Sequence, residues 1–187
     1  MKEFLNTFNI LSSDEIAHLT TLSTKRVMHK GDFFIREGEV CEEVAFVVNG
    51  TLRSFIVAEK GEEITYCITF PNNLMTAYSS FITGQRTEEN IQAITNVELL
   101  ILSKNTINDL ANKHLNWVKF LKVVAEQQYI ELEKRIFQLQ KNNAVKRYTE
   151  LLKHQPELLK HIPLNYLASY LNVTQRHLSR IRKEIHY

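Results

Sequence analysis

The side chains best suited to recognising another molecule gather near the end of the chain, from residue 174 onward. Glutamine can pair with adenine, and arginine can form two hydrogen bonds to guanine N7 and O6 in the major groove of DNA. The expected base readers are Gln175, Arg176, Arg180 and, as a further candidate, His177. The expected phosphate contacts, which position a protein without reading sequence, are Thr174, Ser179, Arg182 and Lys183.

A helix-turn-helix pattern spans residues 163–181 and would present these side chains on one face. An inward stripe of Leu164, Leu167, Ala168 and Leu171 marks the first helix. Asn172 follows where the turn needs a left-handed residue, and Thr174 is a suitable N-cap for the second helix. Leu178 and Ile181 would bury the inner face of that helix. The alternative is an ordinary helical hairpin whose outer face happens to be charged.

The charge is divided unevenly along the chain. Residues 1–112 carry a net −6, whereas residues 113–187 carry +8. An acidic first part and a basic second part indicate two domains, with a polyanion as the partner of the second. Alternatively, the basic part is a set of helices with many solvated lysines.

A long helix is predicted from Trp117 to Leu139, about 35 Å in length. Positions 118, 121, 125, 128, 132, 135 and 139 follow the 3–4 spacing of a coiled-coil seam, with polar residues at 128 and 135. The expected dimer interface is formed by Val118, Leu121, Ala125, Gln128, Leu132 and Leu139. The alternative is a core helix within one chain. Lys141-Asn142-Asn143 ends this helix, and shorter helices are predicted over Ala144–Lys153, after Gln155 and after Ile162.

The N-terminal part has the sequence pattern of short β-strands. After a short helix opened by a Ser12–Glu15 capping box, apolar stretches alternate with glycine turns up to about residue 102. Asn49-Gly50 lies between two such stretches and predicts a β-hairpin with a type I′ turn. The expected fold class is α+β, with an N-terminal antiparallel β-roll or jelly roll. The predicted units are residues 1–112 (sensor), 113–142 (dimerisation helix) and 143–187 (helix-turn-helix).

Several classes of function are excluded. No apolar run reaches the roughly 20 residues of a membrane span, and no secretory signal is visible. Two cysteines without a CxxC pair predict no iron–sulfur or cysteine-zinc site, no cofactor and a cytoplasmic setting. A metal-dependent enzyme on a β-roll would need clustered histidines, and residues 25–102 contain no HxH or HxxxH pair. The chain is therefore expected not to be an enzyme.

The order of these features resembles the Crp/Fnr family of bacterial transcription regulators. The resemblance covers nearly the whole chain and rests on residues 30–39, residues 46–53, the long helix and the helix-turn-helix. It implies a cyclic-nucleotide-binding-like β-roll, a dimerisation helix and a C-terminal winged helix. Because the chain stops at Tyr187, any wing is expected from the segment near His161–Leu164.

The sequence departs from the cAMP-binding members of that family. They hold phosphate with a Gly-Glu-Leu-Gly stretch and an Arg-Ser pair, but residues 70–77 here contain no glycine, and Asn73 replaces the glutamate. Thr87-Glu88 falls where Arg-Ser should be, so tight binding of cAMP or cGMP is not expected. Arg86 is one residue away, flanked by Glu88 and Glu89, whose carboxylates would repel a phosphate. A one-residue slip would bring Arg86 into the pocket. The candidate lining of an effector pocket is Tyr66, Asn73, Leu74, Met75, Arg86 and Thr87.

The sequence thus predicts a homodimeric, sequence-specific DNA-binding transcription regulator. Its expected partners are a two-fold symmetric double-stranded operator, a second copy of the chain and RNA polymerase, with no membrane. The effector, if one exists, stays unidentified. The alternative is a regulatory ligand-binding module that acts through protein partners and has a degenerate helix-turn-helix.

Overall fold

Two four-stranded antiparallel sheets and nine helices are found in the computed structural model, which describes residues 1–154 and 156–185. The strands are β1 (Thr24–Met28), β2 (Phe33–Ile35), β3 (Glu43–Asn49), β4 (Leu52–Val57), β5 (Glu63–Thr69), β6 (Leu74–Met75), β7 (Asn90–Ala93) and β8 (Val97–Ser103). The helices are α1 (Lys2–Asn6), α2 (Ser13–Leu22), α3 (Tyr78–Thr83), α4 (Lys104–Lys113), α5 (Leu115–Lys141), α6 (Ala144–His154), α7 (Pro156–Leu159), α8 (Leu164–Tyr170) and α9 (Gln175–Ile185).

The two sheets face each other and form the predicted β-roll. Their strand orders are β1-β8-β3-β6 and β2-β7-β4-β5. Apolar side chains from both sheets fill the space between them, among them the fully buried Val47, Leu52 and Ile91. The α+β fold class predicted from the sequence is confirmed.

The prediction of a β-hairpin at Asn49-Gly50 is wrong. Strand β3 pairs with β6 and β8, whereas β4 pairs with β5 and β7, so the turn carries the chain from one sheet to the other. Gly50 has the expected positive φ of 85°, but Asn49 does not, as a type I′ turn would require. Contact with the β7–β8 turn directs the chain from β3 into the other sheet, since the Thr51 N–H donates to Thr95 Oγ1.

The N-terminal helices and the first part of α5 cover one side of the β-roll. The predicted capping box is present: Ser12 Oγ accepts from the Glu15 N–H, and the Glu15 carboxylate accepts from the Ser12 N–H. These bonds hold the pKa of Glu15 below its usual value. Trp117 and Phe120 are buried in a cluster with residues of α1, α2 and α4. The start of the long helix is therefore fixed to the β-roll and its N-terminal helices.

The helices predicted after residue 113 are confirmed, and the long one extends two residues beyond each predicted end. Helix α5 ends at Lys141, α6 begins at Ala144, and a short α7 begins at Pro156, next to Gln155, which lies outside the described residues. Among the described residues, no strand follows β8. The segment proposed for a wing, His161–Leu164, forms a turn and the start of α8, so a wing is not found there; Tyr187 lies outside the described residues.

Candidate nucleic-acid interface

Helices α8 and α9 meet in the geometry that the sequence predicts. Asn172 has a φ of 52°, in the left-handed region, and the Val173 N–H donates to Ala168 O at 3.0 Å. The small side chain of Ala168 lets the two helices approach, and Leu178 and Ile181 are almost fully buried beneath α9. The turn and the inner face together fix which side of α9 points outward.

The first residues of α9 form a capped helix N-terminus. The His177 N–H donates to Thr174 Oγ1 at 3.2 Å, which satisfies one of the free amide donors of the first turn. The remaining donors and the positive end of the helix dipole favour an anionic group nearby. Thr174 itself is exposed, so it is available to contact phosphate from this end.

Most of the predicted DNA-contacting side chains share the outer face of α9. Gln175, Arg176, His177, Arg180 and Lys183 are exposed. Among the described residues, no carboxylate forms an ion pair with these cations. Ser179 is half-buried at the edge of this face. The arrangement therefore offers uncompensated donors and positive charge to an external polyanion.

Arg182 does not lie with the others. It is half-buried, and its guanidinium lies over the ring of Tyr148 in α6, 5.9 Å from the ring centre. Its Nε is buried without a hydrogen-bond partner. It follows Leu178 by one helical turn, which places it on the inner side of α9. Arg182 is therefore set apart from the exposed cations of α9, and its contact with phosphate stays a prediction.

Two arginines that the sequence analysis did not single out hold the C-terminal end of α8. Arg147 of α6 donates to Leu171 O at 2.8 Å and also to Asn142 O. Arg135 of α5 donates to Tyr170 O and stacks on the Tyr170 ring. Burial and the neighbouring Arg135 charge lower the pKa of Arg147. These bonds tie the end of the long helix to the turn that precedes α9.

The six candidate effector-pocket residues contact different parts of the protein. Leu74 packs against the N-terminal helices, and Met75 belongs to the core between the sheets. The amide of Asn73 donates to Phe70 O and Pro71 O, each at 3.2 Å. Arg86 donates to Gly38 O at 2.6 Å, and buried Thr87 forms backbone bonds with the same segment.

Tyr66 has a partner that the sequence analysis considered only as a repelling charge. Its hydroxyl donates to the carboxylate of Glu89, just before β7. Burial raises the pKa of Glu89, and burial together with the Glu89 charge raises the pKa of Tyr66. Burial also raises the pKa of the neighbouring Cys67 thiol. The acidic side chain expected beside a phosphate site is thus engaged within the protein.

Sites typical of two other classes of protein are absent from the described residues. No group of three or more histidine, cysteine or acidic side chains is placed to hold a metal ion. Within the same residues, no helix has both the length and the apolar character that a membrane span needs.

The N-terminal part of the chain matches a known domain family. Residues 25–114 match the family model of the cyclic nucleotide-binding domain. The anaerobic regulatory protein of Bacillus subtilis is 25% identical over 99 residues, which are 53% of this chain and 42% of that protein. The match therefore spans less than half the length of that relative.

Solved structures extend the likeness over the whole chain. FixK2 of Bradyrhizobium japonicum superposes with a TM-score of 0.78 at 18% identity, over 88% of this chain and 84% of that one. A Crp/Fnr-family regulator of Eubacterium rectale gives 0.73 at 16% identity, over 98% and 88%. The c-di-GMP-responsive regulator CLP of Xanthomonas campestris gives 0.67 at 14% identity, over 94% and 92%. Residues 25–114 therefore match the cyclic nucleotide-binding domain, in a chain that has the fold of Crp/Fnr-family transcriptional regulators.

Proposed function

We propose that this chain is a homodimeric, sequence-specific DNA-binding regulator of transcription. The observation that carries the proposal is the outer face of α9, where Gln175, Arg176 and Arg180 are exposed without carboxylate partners among the described residues. These are the side-chain types that read adenine and guanine in the major groove. The +8 charge of residues 113–187 supports attraction to the phosphate backbone.

An exposed apolar stripe on α5 supports dimerisation. Val118, Tyr129, Leu132 and Ile136 are each 45% or more exposed. From Ala125 onward these positions follow a spacing of three or four residues, and Val118 lies two helical turns before Ala125. Since a helix turns by about 100° per residue, Gln128 and Arg135 lie on a different side, with Val124. We therefore replace Gln128 in the proposed interface by Tyr129, with Ile136 added. Leu121 and Leu139 lie at its margin.

The proposed operator follows from the symmetry of such a dimer. Two copies related by a two-fold axis along α5 would place their recognition helices in successive major grooves, about 34 Å apart. Any effector must act by binding one arrangement of sensor and DNA-binding units better than another. We place this activity in the cytoplasm, with RNA polymerase as the protein partner and no catalytic step.

We also propose that the β-roll does not bind cAMP or cGMP tightly. Arg86, the cation closest to the expected phosphate position, is exposed and already donates to Gly38 O. Glu89 carries a carboxylate into the same region and would repel a phosphate. An effector, if the protein has one, would belong to another chemical class.

The first experiment is selection of DNA sequences from a random double-stranded library by the purified protein. Enrichment of a two-fold symmetric sequence, bound with an affinity that falls steeply with salt, is the expected result. A selection that enriches no sequence would contradict the proposal and favour a module that acts through protein partners. Sedimentation of the Leu132→Asp variant, with Gln127→Asp as an exposed control on the same helix away from the stripe, tests the proposed dimer interface.

The second experiment is calorimetric titration of the protein with cAMP and with cGMP. No heat of binding is expected at micromolar nucleotide concentrations. Micromolar affinity would show that Arg86 does hold a phosphate. The Arg86→Ala and Lys60→Ala variants would then distinguish that site from general attraction to surface cations.

A further inference from the structure

A contact between the sensor and the DNA-binding unit joins strand β5 to helix α8. Strand β5 is at the edge of its sheet, so one side of its backbone has no neighbouring strand. The Ser169 hydroxyl accepts from the Thr65 N–H at 2.9 Å and donates to Glu63 O at 3.1 Å. A single side chain of α8 therefore satisfies a donor and an acceptor that a further strand would otherwise use.

Arg53 of β4, an interior strand of the same sheet, extends this contact. Its side chain is only 2% exposed and forms an ion pair with Glu63 at 2.5 Å. Its guanidinium also donates to Gln92 Oε1 at 2.7 Å. The plane of the guanidinium lies over two rings, Phe55 of its own strand at 3.9 Å and Tyr166 of α8 at 3.6 Å. Arg53 thus connects three strands of the β-roll to α8, the first helix of the helix-turn-helix.

The contact leaves the outer face of α9 free. The inner side of α8 packs in one apolar cluster with Ile68, Phe70 and Ile94 of the β-roll, while Arg176, Arg180 and Lys183 stay exposed. The docked arrangement therefore leaves these three cations free, whereas Thr174 and Gln175 line a cleft together with Glu62 and Glu63. Because α8 and α9 share one core, fixing α8 on β5 also fixes the direction in which α9 points.

We propose that Arg53 is a positioning residue for DNA reading, which acts through Tyr166 and Glu63 to hold the helix-turn-helix in its reading orientation on the sensor. This inference rests on the proposed function. Strand β5 then transmits the state of the sensor sheet to α8 directly, in parallel with the long helix. An arginine is required because a lysine has no planar group to stack between two rings.

The test compares the Arg53→Lys and Tyr166→Leu variants with the unsubstituted protein on a selected full operator and on a single half-site. Loss of orientation is expected to weaken binding to the full operator about tenfold and to broaden the tolerated half-site spacing, while half-site affinity stays within about twofold. The Tyr166→Phe variant keeps the ring and should behave as the unsubstituted protein. The matched control is Arg36→Lys, since Arg36 also stacks on a ring, Phe33, but lies exposed within the sensor unit.

A second readout needs no DNA. The Thr65 amide donates across the contact, so its hydrogen exchange should accelerate in both variants, while the amides of β3 keep their protection. Unchanged operator affinity and spacing, or tighter binding by either variant, would overturn the inference. If the unsubstituted protein binds no DNA, the proposed function fails, and unchanged Thr65 exchange would separately show that Arg53 does not hold the contact.

Discussion

The corner between β3 and β4 and the turn between α8 and α9 differ in how well the turn residues alone predict which elements pack together. Gly50 and Asn172 both adopt the positive φ that their residue types favour, 85° and 52°. Only the second turn joins the elements that its sequence predicts. A turn residue determines the local direction of the backbone, whereas contacts distant in sequence determine which strands then pair.

The same two regions use their polar side chains in opposite ways. In the sensor, Arg53 is paired with Glu63 and Gln92, and Glu89 accepts from Tyr66. On α9, the outer cations have no carboxylate partner among the residues that the structure describes. Internal pairing stabilises one arrangement of the protein, whereas exposed and unpaired donors are available to a partner.

The largest effect is expected from removing the outer cations of α9. Replacing both Arg176 and Arg180 by alanine should weaken operator binding by on the order of 100-fold or more, because each bidentate contact to guanine contributes about 1–3 kcal/mol. Thermal stability should not change measurably, since both side chains are exposed. Gel shift on the selected operator and calorimetric unfolding measure the two effects.

The control for this double variant removes two exposed cations of the sensor, Lys25 and Lys30. It lowers the net charge by the same amount but leaves α9 intact, so sequence discrimination should persist. Equal losses in the two variants would mean that the overall charge, not the outer face of α9, governs binding.

The corner at Gly50 should be the most sensitive glycine of the sensor. A Cβ at this position would lie 2.3 Å from the Asn96 carbonyl oxygen and 2.6 Å from Val97 Cγ1. With the added strain of a positive φ, Gly50→Ala is expected to lower the free energy of unfolding by roughly 2–5 kcal/mol. Urea denaturation measures the loss.

Gly61 provides the matched control for that substitution. It also has a positive φ, 79°, but no atom lies within 4 Å of the position of a Cβ. Gly61→Ala should therefore cost about 1 kcal/mol from backbone strain alone. Similar losses at the two glycines would show that strain, and not the close approach of the β7–β8 turn, makes Gly50 necessary.

Features that depend on neighbours in sequence were predicted, whereas contacts between distant residues were not. The capping box at Ser12, the end of α5 at Lys141 and the left-handed Asn172 depend on neighbours within a few residues, so the pattern was sufficient. The partners of Arg53 and Glu89 lie on other strands or on α8, as far as 113 positions away for Tyr166. No local spacing records such contacts.

The turn at Asn172 should show a smaller effect than Gly50. Asn172→Ala is expected to lower the free energy of unfolding by about 1 kcal/mol, because a Cβ-bearing residue without a local polar group is strained in the left-handed region. Asn172→Gly should stay within about 0.5 kcal/mol of the unsubstituted protein, since glycine adopts this conformation freely. Urea denaturation of both variants tests whether the turn is determined locally. A larger loss for glycine than for alanine would contradict that conclusion.

The smallest expected effect concerns the internal pairing of Glu89 and its dependence on pH. Burial raises the pKa of the folded carboxyl above its ordinary value of 4.5, so the native state binds this proton more tightly than the unfolded chain does. Stability from this group is therefore present at low pH and is lost as the pH rises through the raised pKa. Glu89→Gln keeps an acceptor for Tyr66 and removes the charge, so it should be more stable than the unsubstituted protein at pH 7. The gain should be less than about 1 kcal/mol, because the group is partly solvated, and it should shrink towards pH 4.5.

Glu88→Gln is the control for that measurement, because Glu88 is adjacent but exposed. Its stability relative to the unsubstituted protein should vary little with pH in urea denaturation. If both variants gained equally at pH 7, the effect would come from the excess of acidic groups in residues 1–112 rather than from burial of one carboxyl. If neither gained, the Tyr66–Glu89 pair would hold the charged carboxylate without a loss of stability, and burial would not explain the expected effect of pH.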